Sequence, residues 1–159
     1  MRSYKYIIVF IPLIALMLCA CDSNGIYDAY VSIPQKGWSK DSVARFNFNI
    51  EASDVDYNMY IKLRNTAIYP NSNLWLFIDI IAPSGVAERD TVECLLADDK
   101  GEWYGRGWGS GIYHLTLPYK YNIKFNETGT YKMLIAQGMR SPVIKGIVDV
   151  GVRIEKFED

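Results

Sequence analysis

The chain has 159 residues, half of them hydrophobic and 22% charged, with a formal net charge of −1 at pH 7. That length is enough for one ordinary domain with its own core, and so even a charge balance provides no footprint for nucleic acid or an anionic lipid surface. A lone histidine, His114, is too little for a histidine-built metal centre or a recognisable catalytic triad.

The first element is a leader. Met1-Arg2-Ser3-Tyr4-Lys5 places two positive charges ahead of an uncharged apolar run over residues 6–18, the order of a secretory signal. A membrane-crossing helix needs about 20 apolar residues; this run is shorter and contains Pro12. It ends in Leu18-Cys19-Ala20-Cys21, which resembles the bacterial lipobox: a branched apolar residue, a tolerated residue, a small residue, then the cysteine that takes lipid before cleavage. Residues 1–20 are therefore expected to be a lipoprotein signal peptide, with Cys21 as the lipidation site. Stable anchoring takes more than one acyl chain, at ~0.8 kcal/mol per buried CH₂, and a triply acylated cysteine supplies them. Cys19 then leaves with the leader and Cys21 is consumed, so Cys94 stands without a disulfide partner. It alternates with Val92 and Leu96, the pattern of a small buried apolar residue rather than a reactive thiol.

Residues 21–37 carry a polar start, Asp22-Ser23-Asn24-Gly25, then Pro34 and no sustained period, and read as a lipidated tether lying along the domain. From residue 38 to 159 the period is two, the mark of half-buried strands. Strands are expected over 44–50, 59–63, 74–82, 91–96, 112–117, 121–125, 130–136 and 147–155, about eight in all. The run 74–82 is apolar on both faces except for Asp79 and reads as a central strand covered on both sides. Pro83-Ser84-Gly85, Asp98-Asp99-Lys100-Gly101, Asn126-Glu127-Thr128-Gly129 and Ser141-Pro142 supply turn chemistry between runs. No amphipathic helix, repeat or linker stands out. The fold expected is all-β: one antiparallel two-sheet β-sandwich, immunoglobulin-like or jelly-roll-like, with Tyr131 after Glu127-Thr128-Gly129-Thr130 resembling a tyrosine corner.

Candidate chemistry is sparse, and no cofactor is expected. Asp98, Asp99 and Glu102 share one loop, but without the alternate-residue spacing of a calcium loop they read as a solvated turn, so no metal site is assigned. The most unusual composition is the stretch 103–111, where Trp103, Tyr104 and Trp108 are separated by glycines and Arg106. Such a loop suits a protein or glycan surface if the rings face out, or closes one end of the sandwich if they fold in. Asp79 needs a cationic partner if its face is covered, with Arg64, Arg140 and Arg153 the first candidates. Asp41-Ser42-Val43 and Asp90-Thr91-Val92 match a short acceptor pattern for O-linked glycans in envelope proteins of Bacteroidota, which makes Ser42 and Thr91 candidate modification sites. No nucleophile with a base, and no carboxylate pair, stands out, so the reading is non-enzymatic.

Longer strings carry a family likeness. Tyr60-Ile61-Lys62-Leu63-Arg64-Asn65-Thr66, Tyr69-Pro70-Asn71-Ser72-Asn73-Leu74-Trp75-Leu76-Phe77, Gly101-Glu102-Trp103-Tyr104-Gly105-Arg106-Gly107 and the closing Gln137-Gly138-Met139-Arg140 with Lys145-Gly146-Ile147-Val148-Asp149-Val150-Gly151-Val152-Arg153-Ile154-Glu155 resemble the gliding-motility lipoprotein GldH family. The resemblance implies an envelope lipoprotein of Bacteroidota, held to a membrane by its lipid and associated with proteins of a motility or secretion complex. An outer-membrane, periplasm-facing location is the expectation. The resemblance carries over no catalytic residue. Within its pattern Arg64, Asn65, Tyr69 and Asn73, with Asp79, are candidates for a buried polar network or a contact patch, and a glycan-binding aromatic loop is the alternative function.

Overall fold

The computed structural model describes residues 24–107, 109 and 111–157; the leader 1–20, the lipid site Cys21 and Trp108 lie outside that set. Among the described residues the chain forms eleven strands and no helix: β1 (Gly25–Ser32), β2 (Trp38–Ser39), β3 (Ala44–Ile50), β4 (Tyr57–Thr66), β5 (Asn73–Ile81), β6 (Ala87–Leu95), β7 (Arg106–Gly107), β8 (Ile112–Ile123), β9 (Gly129–Gln137), β10 (Val143–Ile144) and β11 (Ile147–Lys156). Sequence alternation translates directly into facing. In β3, Ala44, Phe46, Phe48 and Ile50 are buried while Arg45, Asn47 and Asn49 are exposed, because successive side chains of a strand point to opposite faces.

The strands assemble into a five-stranded sheet ordered β1-β11-β4-β8-β7 and a four-stranded sheet ordered β3-β9-β5-β6, with the short β10-β2 pair beside them. Every pairing is antiparallel. Met59, Ile61, Leu63, Val150, Val152 and Ile154 of the first sheet share one core with Phe46, Leu76, Ile78, Met133 and Ile135 of the second. Each such side chain stabilises the fold by about 1.5–3 kcal/mol relative to exposure. This is the two-sheet β-sandwich that the alternation predicts, with eight strands of seven residues or more and three of two residues.

The long strands are not quite the expected set. Residues 25–32, read as a tether, form β1 and pair with β11 along the sheet edge. An edge strand beside a polar surface has little need of a clean period, so the sequence hid it. Conversely, 112–117 and 121–125 are mainly one strand: β8 runs through Pro118, which opposes Tyr60 beside irregular register around Met59. A proline is tolerated there because, among the described residues, β8 beyond its pairing with β7 has no neighbour on its far side.

The reading of 74–82 as covered on both faces is corrected. Leu74, Leu76, Ile78 and Ile80 are buried, whereas Trp75 and Phe77 stand out at 37% and 42% exposure. A run of apolar residues cannot by itself distinguish a central strand from one that presents an apolar outer face.

The tight places are met by glycine. Gly146 has φ +91 and a Cβ there would sit 2.3 Å from the Tyr69 amide nitrogen; a Cβ on Gly151 would meet the Ala29 carbonyl oxygen and the Tyr30 ring at 2.7 Å. The tyrosine-corner geometry is present: Tyr131 Oη accepts from the Glu127 amide at 3.2 Å and donates to the Glu127 carbonyl at 3.1 Å. Cys94 is buried, and burial pushes its thiol up to about 12, so it is an inert part of the core.

Candidate functional site

The outer face of the five-stranded sheet is a polar lattice. Register places Ser32, Asp149, Arg64, His114 and Arg106 in one row that crosses all five strands. Ser32 Oγ donates to Asp149 Oδ1 at 2.7 Å, Arg64 Nη1 reaches Asp149 Oδ2 at 3.4 Å, and Arg64 Nε donates to His114 Nδ1 at 3.1 Å. With Nδ1 accepting, His114 carries its proton on Nε2. One pleat along, the Tyr30 ring lies on Gly151, with Lys62 Nζ 4.5 Å and Arg64 Cζ 4.0 Å from its centroid. That cation–π contact depends on a residue without a side chain below the ring. Lys62 also holds Asp28 at 2.6 Å, and Arg153 holds Glu155 at 2.9 Å. Tyr60 donates to Glu155, and burial together with that carboxylate pushes its phenol up to about 12.

Of the five residues proposed as one polar network, Tyr69 and Asn73 meet, and the set as a whole does not form one network. Arg64 and Asn65 are successive strand residues and so point to opposite faces: Arg64 joins the outer lattice, while Asn65 is 1% exposed. Tyr69 is buried and donates to the Asn73 carbonyl at 2.7 Å, which braces the connection into β5 from within. Asn73 Nδ2 instead reaches across to Glu93 at 2.5 Å. Asp79 lies on the far sheet, where Arg89 of the neighbouring strand grips both its oxygens at 2.5 and 2.7 Å. Arg64, Arg140 and Arg153 are not its partner. The Arg89 hydrogen bonds hold the Asp79 carboxyl below its ordinary value. Cross-strand pairing, which no local pattern displays, chose Arg89: Asp79 and Arg89 are register partners. Tyr30, Lys62 and Asp149 were missed for the same reason, although Gly151 amid valines was a signal of close backbone approach.

The aromatic stretch is divided. Trp103 packs against the core and against Tyr113, ring centroids 5.6 Å apart, while Tyr104 is 56% exposed and Arg106 is exposed at the start of β7. Trp103 therefore closes one end of the sandwich and does not join Tyr104 in an outward platform. In the neighbouring loop, Asp98 Oδ1 accepts from the amides of Lys100 and Glu102, which makes it a turn-forming carboxylate. Of the glycan-acceptor candidates, Ser42 is exposed just before β3, and Thr91 is exposed at the middle of β6 rather than at a strand start.

The outer face of the four-stranded sheet contrasts with the lattice. Trp75 and Phe77 project from β5 beside half-buried Leu134 and Ala136 of β9 and exposed Leu95 of β6. The Asp79–Arg89 pair is their charged neighbour on the same face. Aromatic and apolar groups grouped on an exposed face are suited to contact with another macromolecule rather than to bond-making chemistry.

Comparison with known proteins is consistent from end to end. The family model described as GldH lipoprotein matches residues 25–154. A protein of Christiangramia forsetii described as a gliding motility lipoprotein GldH homolog is 39% identical, with all of both chains covered. The gliding motility lipoprotein GldH of Flavobacterium johnsoniae is 36% identical over 91% of this chain and 92% of its own. Among solved structures, a 4-O-methyl-alpha-glucuronidase with specificity for decorated arabinogalactans is 12% identical at a TM-score of 0.48, covering 87% of this chain and 18% of that one. On the family match and the two full-length relatives, this chain belongs to the GldH lipoprotein family.

Proposed function

We propose that this protein is a non-enzymatic component of the bacterial cell envelope, anchored by lipid on Cys21 and acting by docking onto proteins of a motility or secretion complex. The observation that carries the reading is full-length similarity to proteins described as gliding motility lipoproteins. The lipobox-like Leu18-Cys19-Ala20-Cys21 supports the anchor, and the domain begins its first strand only four residues later, at Gly25, which keeps it close to the bilayer. Among the described residues the sandwich accordingly starts with β1 at Gly25. An outer-membrane, periplasm-facing position is the placement we favour. Exposed Tyr104 and Arg106 at one end, and Trp75 and Phe77 on the outer sheet face, are the groups offered to partners.

The test is chemical cross-linking in native membranes followed by mass spectrometry, with the membranes separated beforehand. A Cys21→Ala chain should lose acylation and leave the membrane fraction, and wild-type protein should yield adducts with other envelope proteins that Tyr104→Ala or Phe77→Ala reduces. A wild-type chain that forms no adducts, or a Cys21→Ala chain that stays bound to membranes, would overturn the corresponding half of the proposal. Intact mass of the exported protein reads out the glycan-acceptor candidates as well: we propose Ser42, exposed ahead of β3, as an O-glycan acceptor in preference to Thr91 in the middle of β6, and an unshifted mass removes it.

A further inference from the structure

A sheet ends in strands whose outward amides and carbonyls have no neighbour, and such edges are usually shortened, broken, bulged or covered. Three of the four long edges in this sandwich are handled in those ways. β8 is interrupted by Pro118 and the irregular register beside it, and Asn122 takes a positive φ of 53. β1 and β3 pack against one another across the sandwich. β6 is different. It pairs with β5 over residues 87–95 without a register shift, and among the described residues no strand lies on its other side. Its inner face is fixed by Tyr119 Oη donating to Asp90 and by Lys120 bridging Asp90 at 2.9 Å and Glu88 at 3.7 Å. Among the described residues the strand is a regular edge without cover, and what marks it is charge: Arg89 and Glu93 outward, Glu88 and Asp90 inward.

We propose that β6 pairs antiparallel with β6 of a second copy of this chain, about a two-fold axis through Thr91. The argument is register. Antiparallel pairing that keeps the outer face continuous must set odd positions against odd positions. Full overlap of residues 87–95 then places Ala87 against Leu95, Arg89 against Glu93 and Thr91 against Thr91 of the second copy. Opposite charges meet twice, once on each side of the axis, as a two-fold contact requires. Sliding by one pleat in one direction sets Asp90 against Asp90, and in the other sets Arg89 against Leu95, so complementarity selects the fully overlapped register. β3 offers nothing comparable, since its full overlap sets Arg45 against Asn49.

The charged groups are poised for this contact. Arg89 spends Nε and Nη2 on Asp79 and is 70% exposed, leaving Nη1 for a second carboxylate. Asn73 engages Glu93 through Oε1, leaving Oε2. Because Phe77 opposes Thr91 within each chain, the pairing sets both copies of Phe77 in one row across the axis and joins the two apolar outer faces into one.

The full-length chain in its own envelope provides the test, with Thr91→Cys as the probe. Directly opposed residues have Cβ atoms ~4.5–5.5 Å apart, close to the span a disulfide takes. Mild oxidation should give a reductant-sensitive species of twice the monomer mass from Thr91→Cys, and about tenfold less from Lys132→Cys, which is exposed on β9 of the same sheet. Wild type should give none, because Cys94 is buried. Adding Glu93→Arg to Thr91→Cys should lower the yield at least about fivefold by setting arginine against Arg89, and further adding Arg89→Glu should restore it. Resistance to protease confirms that each variant is folded. Folded Thr91→Cys that gives no dimer, a dimer indifferent to Glu93→Arg, or an adduct with a protein of another mass would each overturn the proposal, the last by giving the edge to a foreign strand.

Discussion

The two outer faces of the sandwich have opposite characters. On the five-stranded sheet, cations, carboxylates and Tyr30 are consumed by one another in cross-strand contacts, so the face is internally satisfied. On the four-stranded sheet, Trp75, Phe77 and Leu95 are exposed, and the strong polar contacts beside them are two, Asp79 with Arg89 and Asn73 with Glu93. A satisfied polar surface has little to gain from a partner, whereas an apolar one gains by leaving water. The difference teaches that, apart from Arg106 at its β7 end, the self-satisfied surface and the surface we propose for contact lie on opposite sides of one core, and it makes substitutions on the two faces separable.

The largest effect should come from the satisfied face. Gly151→Val would drive a side chain into the Ala29 carbonyl and the Tyr30 ring, both 2.7 Å from the new Cβ, and should cost about 2–3 kcal/mol in urea denaturation as overpacking against fixed backbone. Asp149→Ala strips Ser32 and Arg64 of their shared acceptor and should cost about 1–2 kcal/mol by the same measurement. Removing the Tyr131 hydroxyl, with Tyr131→Phe, tests the brace of the turn ahead of β9 and should cost ~0.5–1.5 kcal/mol.

On the contact face the order reverses. Phe77→Ala should change stability by less than about 1 kcal/mol, since much of the ring is already in water, yet reduce adduct formation in membranes. If Phe77→Ala unfolds the protein as readily as Gly151→Val, the division between the faces fails. The smallest effect belongs to Asp79→Asn. Arg89 holds the Asp79 carboxyl below its ordinary 3.8, so its contribution is complete above that value and is lost as pH falls through the lower folded one. The stability gap between wild type and Asp79→Asn should therefore be present at pH 6 and shrink toward pH 2, read as urea midpoints.

Legibility in the sequence followed the range of the interaction. β3 and β9 were readable because alternation at period two is a property of neighbouring residues. The merging of 112–117 with 121–125 was not, because whether Pro118 ends a strand depends on whether another strand needs its missing amide. Asp79 was recognised as needing a cation, but its partner was sought in Arg64, Arg140 and Arg153, since nothing local indicates which residue lies across the ladder. For the aromatic stretch, composition marked Trp103 and Tyr104 equally, and the fold turned one inward and left the other in water.

The sequence by itself determined that this is an antiparallel sandwich of the GldH family, with an export leader expected ahead of Cys21, because periodicity, turn residues and family motifs are written in consecutive positions. Only the tertiary structure decided which face of β5 meets solvent, that β1 closes a sheet edge, that Arg89 answers Asp79, and that β6 is left open. Those outcomes depend on register and on which sheet covers which face, and both are fixed by residues far apart in the chain coming together around one shared core.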